Sequence, residues 1–260
     1  MGAERIKSFI AMRVLDTAKL IFRHPEYHKI IAEMNTQAQK SGLPDAARVL
    51  AKKALLKVET VWDEQPVTEE ILRKKPVIIV ANHEFLIEPL ILLSQLPSRK
   101  NLFAVAADFA GDFFGGAVQE LFLPISLKRN SVANQINAAS IKYAGKLLHE
   151  KNAIVILPKP TSKPEKWRTG IGKIIGNFLG REDIFLVMAD IQGIKEKDIM
   201  KLLLNTTGVT KNPLNYNLRI SKPIAIKDLG MEGLPGDSKE EIREITNRLQ
   251  NYYEKWLVVS

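Results

Sequence analysis

At 260 residues, of which 45% are hydrophobic, the chain is typical of one large globular domain rather than an intrinsically disordered protein. It contains no cysteine, which excludes a disulfide framework, a thiolate nucleophile and a thiolate-bound metal, and its four histidines are too scattered for a metal cluster. The formal net charge of +9 predicts an anionic partner, which charge alone leaves open between nucleic acid, an acidic membrane surface and a phosphorylated substrate.

Residues 1–55 predict a helical N-terminal region. Within residues 5–22, apolar side chains recur at steps of three and four, and lysines and arginines occupy the remaining positions, which indicates a basic amphipathic helix. Such a helix either lies in a membrane interface or packs its apolar stripe on the rest of the fold, and the pattern fits both. Pro25 ends it, a second helix extends to about Gln39, and a third covers 45–55. Because no apolar run reaches the roughly 20 residues of a membrane span, we expect a soluble or peripherally bound protein.

Residues 56–260 predict a second region in which short apolar or β-branched runs alternate with helical patterns. The predicted strands are 57–62, 77–81, 102–106, 122–126, 153–157, 184–191 and 217–220. The predicted helices are 89–96, 112–121, 132–150, 166–179, 195–204 and 238–257, and 211–215 and 230–236 are predicted loops. This alternation predicts an α/β fold with a mostly parallel central sheet flanked by helices, in which functional residues gather at the carboxyl ends of strands.

The end of the strand 77–81 is followed directly by Asn82 and His83, and Glu88 comes five positions after the histidine. Histidine takes up a proton near neutral pH, and a carboxylate at this spacing can orient the ring and stabilise the imidazolium. The same histidine can instead make only local hydrogen bonds at a strand end. His83 and Glu88 are the candidate catalytic pair, with Asn82 beside them.

Residues 82–89 resemble the first motif of the glycerophosphate and lysophospholipid acyltransferase family, in which Asn-His, four residues and Asp follow a strand. In that family the histidine takes the proton of an acceptor hydroxyl, which then attacks the thioester of an acyl carrier, and the acid supports the histidine. Here the acid is Glu88, which is longer by one methylene. The resemblance therefore implies that His83 is a general base and that Glu88 is its partner.

Two further motifs of the family contribute to binding the acceptor. The second ends a strand with an arginine that binds the acceptor's phosphate, and residues 122–129 resemble it, with Lys128 and Arg129 at the basic end. A guanidinium suits phosphate oxygens in bidentate fashion, which favours Arg129.

The third motif, Phe-Pro-Glu-Gly-Thr, appears as residues 157–161, where Lys159 and Pro160 replace glutamate and glycine and Thr161 is kept. Lys159 reverses the charge of the family's glutamate and either binds phosphate itself or marks an impaired acceptor site.

A fourth motif, a strand ending in Ile, any residue and Gly, is matched by residues 187–193, although Met188 replaces the usual proline. In the family it lines the acyl pocket. The four motifs occur in order, and the resemblance covers about residues 56–225. It implies an O-acyltransferase that uses acyl-CoA or acyl carrier protein as a substrate, has no bound cofactor or metal, and acts on a phosphate-bearing lipid acceptor from the cytoplasmic side of an anionic membrane.

Two alternatives to this function remain. A catalytically impaired lipid-binding protein of the same fold is compatible with the changes at Glu88, Lys159 and Pro160. A nucleic-acid-binding protein is suggested by charge only, because the basic residues accompany neither a recognition helix nor a stacking platform of aromatic side chains. We therefore expect no nucleic acid among the partners.

Overall fold

The computed structural model describes residues 24–83, 85–108, 110–128, 130–158, 166–231, 234, 236 and 238–258, with only the backbone of residues 112 and 113. The helices of this part of the chain, numbered α1 to α10 in order, are Pro25–Ser41, Leu43–Lys53, Gln65–Lys74, Glu88–Gln95, Ala110–Phe114, Gly116–Glu120, Ser131–His149, Gly170–Gly176, Asp198–Thr206 and Lys239–Val258. The strands β1 to β8 are Leu56–Trp62, Val77–Ala81, Leu102–Ala107, Phe122–Ile125, Ala153–Ile156, Phe185–Gln192, Leu214–Ile220 and Ile224–Ala225.

The strands form one sheet in the order β1-β7-β6-β2-β5-β3-β4, with β8 paired to the free side of β6 at its start. From β6 to β4 all neighbours are parallel, whereas β7 is antiparallel to β6 and parallel to β1. The prediction of an α/β fold with a mostly parallel central sheet, flanked by helices and preceded by a helical region, is confirmed for the described residues.

Strand β2 lies at the centre of the sheet, and all five of its residues are buried. Because side chains alternate across a strand, Val77, Ile79 and Ala81 contribute to the core on one face, and Ile78 and Val80 to the core on the other. The first core includes α1, α2 and α4, and the second includes α7, α8 and α10. The helices before residue 55 thus share a hydrophobic core with the sheet. The predicted amphipathic helix 5–22 lies outside the described residues.

Arg99 joins several of these elements at the edge of the sheet where β2 begins. Its guanidinium donates hydrogen bonds to the carbonyl oxygens of Leu72, Lys75 and Lys151 and to the side chain of Asn101, at 2.6–3.0 Å. The side chain is buried, and burial lowers its pKa to about 10, so that the charge is retained at neutral pH. Its hydrogen bonds fix the end of α3 against the turn before β5.

Several element boundaries differ from those predicted. The predicted helix 112–121 is two short helices, α5 and α6, because Gly115 and Gly116 have φ values of +57° and +50° that break the helical backbone. The predicted helix 166–179 is shorter and begins at Gly170, and β7 begins at Leu214 inside the predicted loop 211–215. Helix α3 and strand β8 were not predicted. None of the helices in the described part of the chain is both long and apolar enough to cross a membrane.

Candidate functional site

The carboxyl ends of β2 and β6 lie side by side and are connected by the side chain of Asn82. Its Oδ1 accepts a hydrogen bond of 2.9 Å from the Ile191 N–H, and its Nδ2 donates one of 2.8 Å to the Ile191 carbonyl oxygen. A side-chain amide thus replaces one step of the backbone ladder where β2 ends. The amide of Asn82 fixes the position of His83, the next residue, and whether it also contacts a substrate stays a prediction.

The structure brings the two predicted catalytic residues together. Nδ1 of His83 lies 3.5 Å from Oε2 of Glu88, whose side chain is completely buried. Glu88 is the first residue of α4, and its Oε1 accepts a hydrogen bond of 2.6 Å from the Phe85 N–H. The positive end of the helix dipole also favours a carboxylate at this position. The turn 85–88 therefore places a buried carboxyl group directly beside the histidine ring.

His83 presents only one of its ring nitrogens to this carboxylate. The Nδ1 atom is buried, whereas 22% of the side chain is exposed, so the exposed part of His83 belongs to its other atoms. In a neutral ring with its proton on Nδ1, the N–H faces Glu88 and Nε2 keeps its lone pair for another partner. In this arrangement Nε2 can take up a proton while Nδ1 faces the carboxyl group.

A cavity of about 410 Å³ is lined by Glu88 but not by His83, and it lies between the ends of β2 and β6, strand β7 and the end of α10. Its wall is formed by Asn82, Phe85, Glu88, Asp190, Ile191, Gln192, Gly193, Ile194, Arg219 and Leu257. Gly193, the last residue of the fourth motif, has a φ of +88°, a conformation that side chains rarely adopt, and here the chain leaves β6. The predicted fourth motif thus borders the same cavity as Glu88.

Asp190 and Arg219 line this cavity but were not predicted to belong to the site. They are opposite each other in the antiparallel pairing of β6 with β7. Asp190 accepts a hydrogen bond of 2.7 Å from Gln192, and Arg219 donates one of 2.9 Å to Asp63. A charged residue inside the otherwise apolar strand 184–191 was the available signal for Asp190.

The last helix closes the cavity from the side of β7. The ring of Trp256 stacks on the Arg219 guanidinium at 4.6 Å, and its Nε1 donates a hydrogen bond of 2.8 Å to Asp63. One turn earlier, the hydroxyl of Tyr253 donates a hydrogen bond of 2.8 Å to the Ala189 carbonyl oxygen. Helix α10 is therefore anchored to both β6 and β7 beside the candidate site.

Tyr216 on β7 adds a further buried polar group near Glu88. Burial raises the pKa of its phenol well above the ordinary value, and the carboxylates of Asp198 and Glu88 raise it further. The phenol therefore stays neutral at neutral pH.

Of the residues predicted to bind the acceptor's phosphate, one lies farther along the carboxyl ends of the strands and the others lie outside the described residues. Lys128 is exposed and follows β4, which is the edge strand and lies three strands from β2. At a strand spacing of about 4.8 Å, this separation is about 14 Å across the sheet. Arg129, Lys159 and Thr161 lie outside the described residues, and their roles stay predictions.

No protein-family model matches the chain, and no curated protein sequence matches it. Among solved structures, the chain is similar to the crystal structure of the 1-acyl-sn-glycerophosphate (LPA) acyltransferase PlsC from Thermotoga maritima, with 16% sequence identity and a TM-score of 0.45. The similarity covers 96% of this chain and 88% of that chain. At this level of similarity we draw no conclusion about function from it.

Proposed function

We propose that the protein is an O-acyltransferase that moves a fatty acyl group from acyl-CoA or acyl carrier protein to a hydroxyl of a glycerophosphate or lysophospholipid. The observation that carries the proposal is the His83–Glu88 pair at the end of β2, with 3.5 Å between Nδ1 and Oε2 and with Glu88 lining a cavity. A histidine supported by a buried carboxylate is the group that activates a weak oxygen nucleophile. The resemblance of four segments to the motifs of the acyltransferase family supports acyl transfer as the reaction.

In the proposed reaction, Nε2 of His83 takes the proton of the acceptor hydroxyl as its oxygen attacks the thioester carbonyl carbon. The tetrahedral intermediate then breaks its C–S bond, and the departing thiolate takes the proton back from the imidazolium. Base catalysis of this kind contributes about 10²- to 10⁴-fold in rate. Glu88 stabilises the imidazolium, which forms only during the reaction, so its charge acts on the transition state more than on the bound substrate.

The proposed acceptor carries a phosphate that is bound by Lys128, Arg129, Lys159 and Thr161, which belong to the second and third motifs. Because Lys128 lies about 14 Å across the sheet from β2, the acceptor would extend along the strand ends from His83 toward β4. We further propose that the enzyme works on the cytoplasmic face of a membrane, where amphiphilic acceptors and products reside.

The alternative is a lipid-binding protein of the same fold that has lost acyl transfer. The observation in its favour is the third motif, in which Lys159 and Pro160 stand where the family has glutamate and glycine. Under this alternative the cavity beside Glu88 still receives a lipid, but His83 has no acceptor hydroxyl to activate.

An assay of the purified full chain separates the two functions. A long-chain acyl-CoA or acyl carrier protein is offered with a panel of acceptors that includes glycerol 3-phosphate and lysophosphatidic acid, and the release of free thiol is followed. Acylated product that disappears in His83→Ala supports the enzyme. If no acceptor is acylated while the protein still binds lipid, the binding protein is favoured, and absence of both activities contradicts both proposals.

A further inference from the structure

Three large apolar side chains protrude into solvent at the edge of the sheet that carries His83. Leu86, in the turn after β2, is 61% exposed, Leu127, after β4, is 55% exposed, and Val132, in the first turn of α7, is 60% exposed. Because β2, β5, β3 and β4 are parallel neighbours, the segments after β2 and β4 leave the sheet at the same edge. We call Leu86, Leu127 and Val132, with the charged residues around them, the strand-end surface.

A hydrogen bond and the burial of its neighbours orient Leu86 in the turn after β2. Glu88 accepts the hydrogen bond of 2.6 Å from Phe85, and this bond closes the turn. Ile87 is only 3% exposed and belongs to the core, and Phe85 packs partly against it. Leu86 therefore points outward because its two neighbours point inward. The buried carboxylate that supports His83 also holds this leucine in place.

The segment that carries Leu127 is anchored in a comparable way. The side-chain amide of Asn137 on α7 accepts a hydrogen bond of 2.7 Å from the Ser126 N–H and donates one of 3.1 Å to the Ser126 carbonyl oxygen. Asn130 then caps α7 through a hydrogen bond of 2.8 Å from the Ala133 N–H. Leu127 and Val132 lie on either side of this cap, and both side chains are exposed.

The charge of the strand-end surface is predominantly positive. In the described parts of the segments that follow β2 to β6, the exposed acidic residues are Asp108 and Glu196. The exposed basic residues of the same segments are Lys128, Lys166, Arg168, Lys195 and Lys197. Exposed apolar side chains accompanied by an excess of basic ones match the interface of an anionic bilayer, in which acyl chains lie below phosphate headgroups.

We propose that the strand-end surface is the site at which the folded domain docks on an anionic lipid bilayer, with Leu86, Leu127 and Val132 inserted below the headgroups. A second copy of the chain fits the surface poorly, because a two-fold interface would place its basic residues against the same basic residues of the other copy. Docking in this orientation places His83 against the lipids of the bilayer. Only the statement that the acceptor is taken from these lipids rests on the proposed function.

The first test measures binding of the full chain to vesicles by sedimentation, without any acyl donor. Vesicles of equal parts phosphatidylglycerol and phosphatidylcholine are compared with vesicles of phosphatidylcholine alone. We expect Leu86→Asp and Leu127→Asp each to weaken binding to the anionic vesicles by about tenfold, and Lys197→Gln by about fivefold. The matched control is Tyr143→Asp, since Tyr143 is 47% exposed in the middle of α7 and lies about 18 Å along the helix from its start.

A second measurement uses substitutions that add no charge, so it does not require the folded protein to accept an aspartate at these positions. Leu86→Trp and Leu127→Trp place a fluorophore on the strand-end surface, and vesicles whose lipids carry brominated acyl chains quench a tryptophan that enters the bilayer. We expect additional quenching, relative to the unsubstituted protein, for both variants and none for Tyr143→Trp.

The proposal would be overturned if the leucine variants bound vesicles as well as the parent protein and showed no additional quenching. It would also be overturned if Tyr143→Asp lost as much binding as Leu86→Asp and Leu127→Asp. A shift from dimer to monomer in Leu127→Asp would also overturn it, since a second copy would then cover the surface. Failure of the proposed function is distinguishable, because His83→Ala is expected to bind vesicles like the parent protein whether or not the chain transfers acyl groups.

Discussion

Nδ1 of His83 lies 3.5 Å from Oε2 of Glu88, a carboxylate that is completely buried at the first position of α4. The separation is within ion-pair distance, but it is longer than the usual 2.9–3.0 Å of an N–H···O hydrogen bond. An ion pair of this kind strengthens when the ring becomes positively charged. The contact becomes an ion pair when the ring carries a second proton, which is the form of His83 that the proposed proton transfer would produce.

The first prediction concerns the charge of Glu88. Glu88→Gln keeps the length of the side chain, and its amide oxygen can still accept the hydrogen bond from Phe85, but the negative charge beside His83 is lost. We expect kcat for acyl transfer to fall by about a hundredfold while KM changes little, because the charge acts on the imidazolium and not on the bound substrates. Steady-state kinetics at saturating thioester checks this, with circular dichroism to verify folding. An unchanged kcat would contradict the role of Glu88.

The second prediction concerns the length of the same side chain. Glu88→Asp introduces the residue that the acyltransferase family has in its first motif, but it draws the carboxylate back by about 1 Å, away from both His83 and the Phe85 N–H. A misplacement of this size costs about a hundredfold in rate, so we expect a lower kcat than in the parent protein. An equal or higher rate would show that the turn 85–88 closes around the shorter side chain.

Much of the fold could be predicted from sequence because its signals are local. The run 77–81 is apolar throughout, as the central strand of a parallel sheet requires, and it was predicted with the observed limits. Helix α3 was not predicted because its only buried residues are Thr68 and Leu72, which leaves a weak apolar pattern. The proline at its start is also typical of a turn. Strand β7 was predicted three residues short, although Leu214 and Tyr216 continue its buried alternation.

In the candidate site, too, a local sequence pattern identifies some residues, whereas others come together only through the pairing of distant strands. His83 and Glu88 are five positions apart, so one turn of chain brings them together, and their spacing predicted a pair. Asp190 and Arg219 meet only through the antiparallel register of β6 with β7, and nothing in either segment alone specifies that register. Tyr216 reaches the surroundings of Glu88 through the same pairing. The cavity wall contributed by β7 and α10 therefore required the structure.

The third prediction concerns stability. Arg99→Lys keeps a positive charge but cannot reproduce the hydrogen bonds that the guanidinium donates to the carbonyl oxygens of Leu72, Lys75 and Lys151. Buried carbonyl groups are left without their donors, and we expect the free energy of unfolding to fall by about 3 kcal/mol. Urea denaturation of both proteins measures it. A loss below about 1 kcal/mol would show that water replaces the guanidinium at these carbonyl groups.

The fourth prediction concerns alkaline pH. A tyrosine in the unfolded chain ionises near pH 10, whereas the raised pKa of Tyr216 keeps it protonated in the folded protein. Above pH 10 the folded state binds the extra proton, so the stability contributed by this group is present below pH 10 and is lost as the pH rises, by up to about 1.4 kcal/mol per pH unit.

Tyr216→Phe removes this dependence. Burial also raises the pKa of Tyr27, and the variant keeps that group. Urea denaturation at a series of pH values above 10 should therefore show a shallower fall of the unfolding free energy in Tyr216→Phe. Identical slopes for the two proteins would contradict the assignment.

The acyl-transfer rate of His83→Ala tests the central claim most directly. The parent protein, His83→Ala and the control His28→Ala, which alters an exposed histidine on α1, are compared with a long-chain acyl-CoA and lysophosphatidic acid at equal protein concentration. With His83 as the general base, the parent protein and His28→Ala form the diacyl product at similar rates, and His83→Ala is slower by about 10²- to 10⁴-fold with an unchanged circular dichroism spectrum. A folded His83→Ala variant that transfers acyl groups at the rate of the parent protein would contradict the claim.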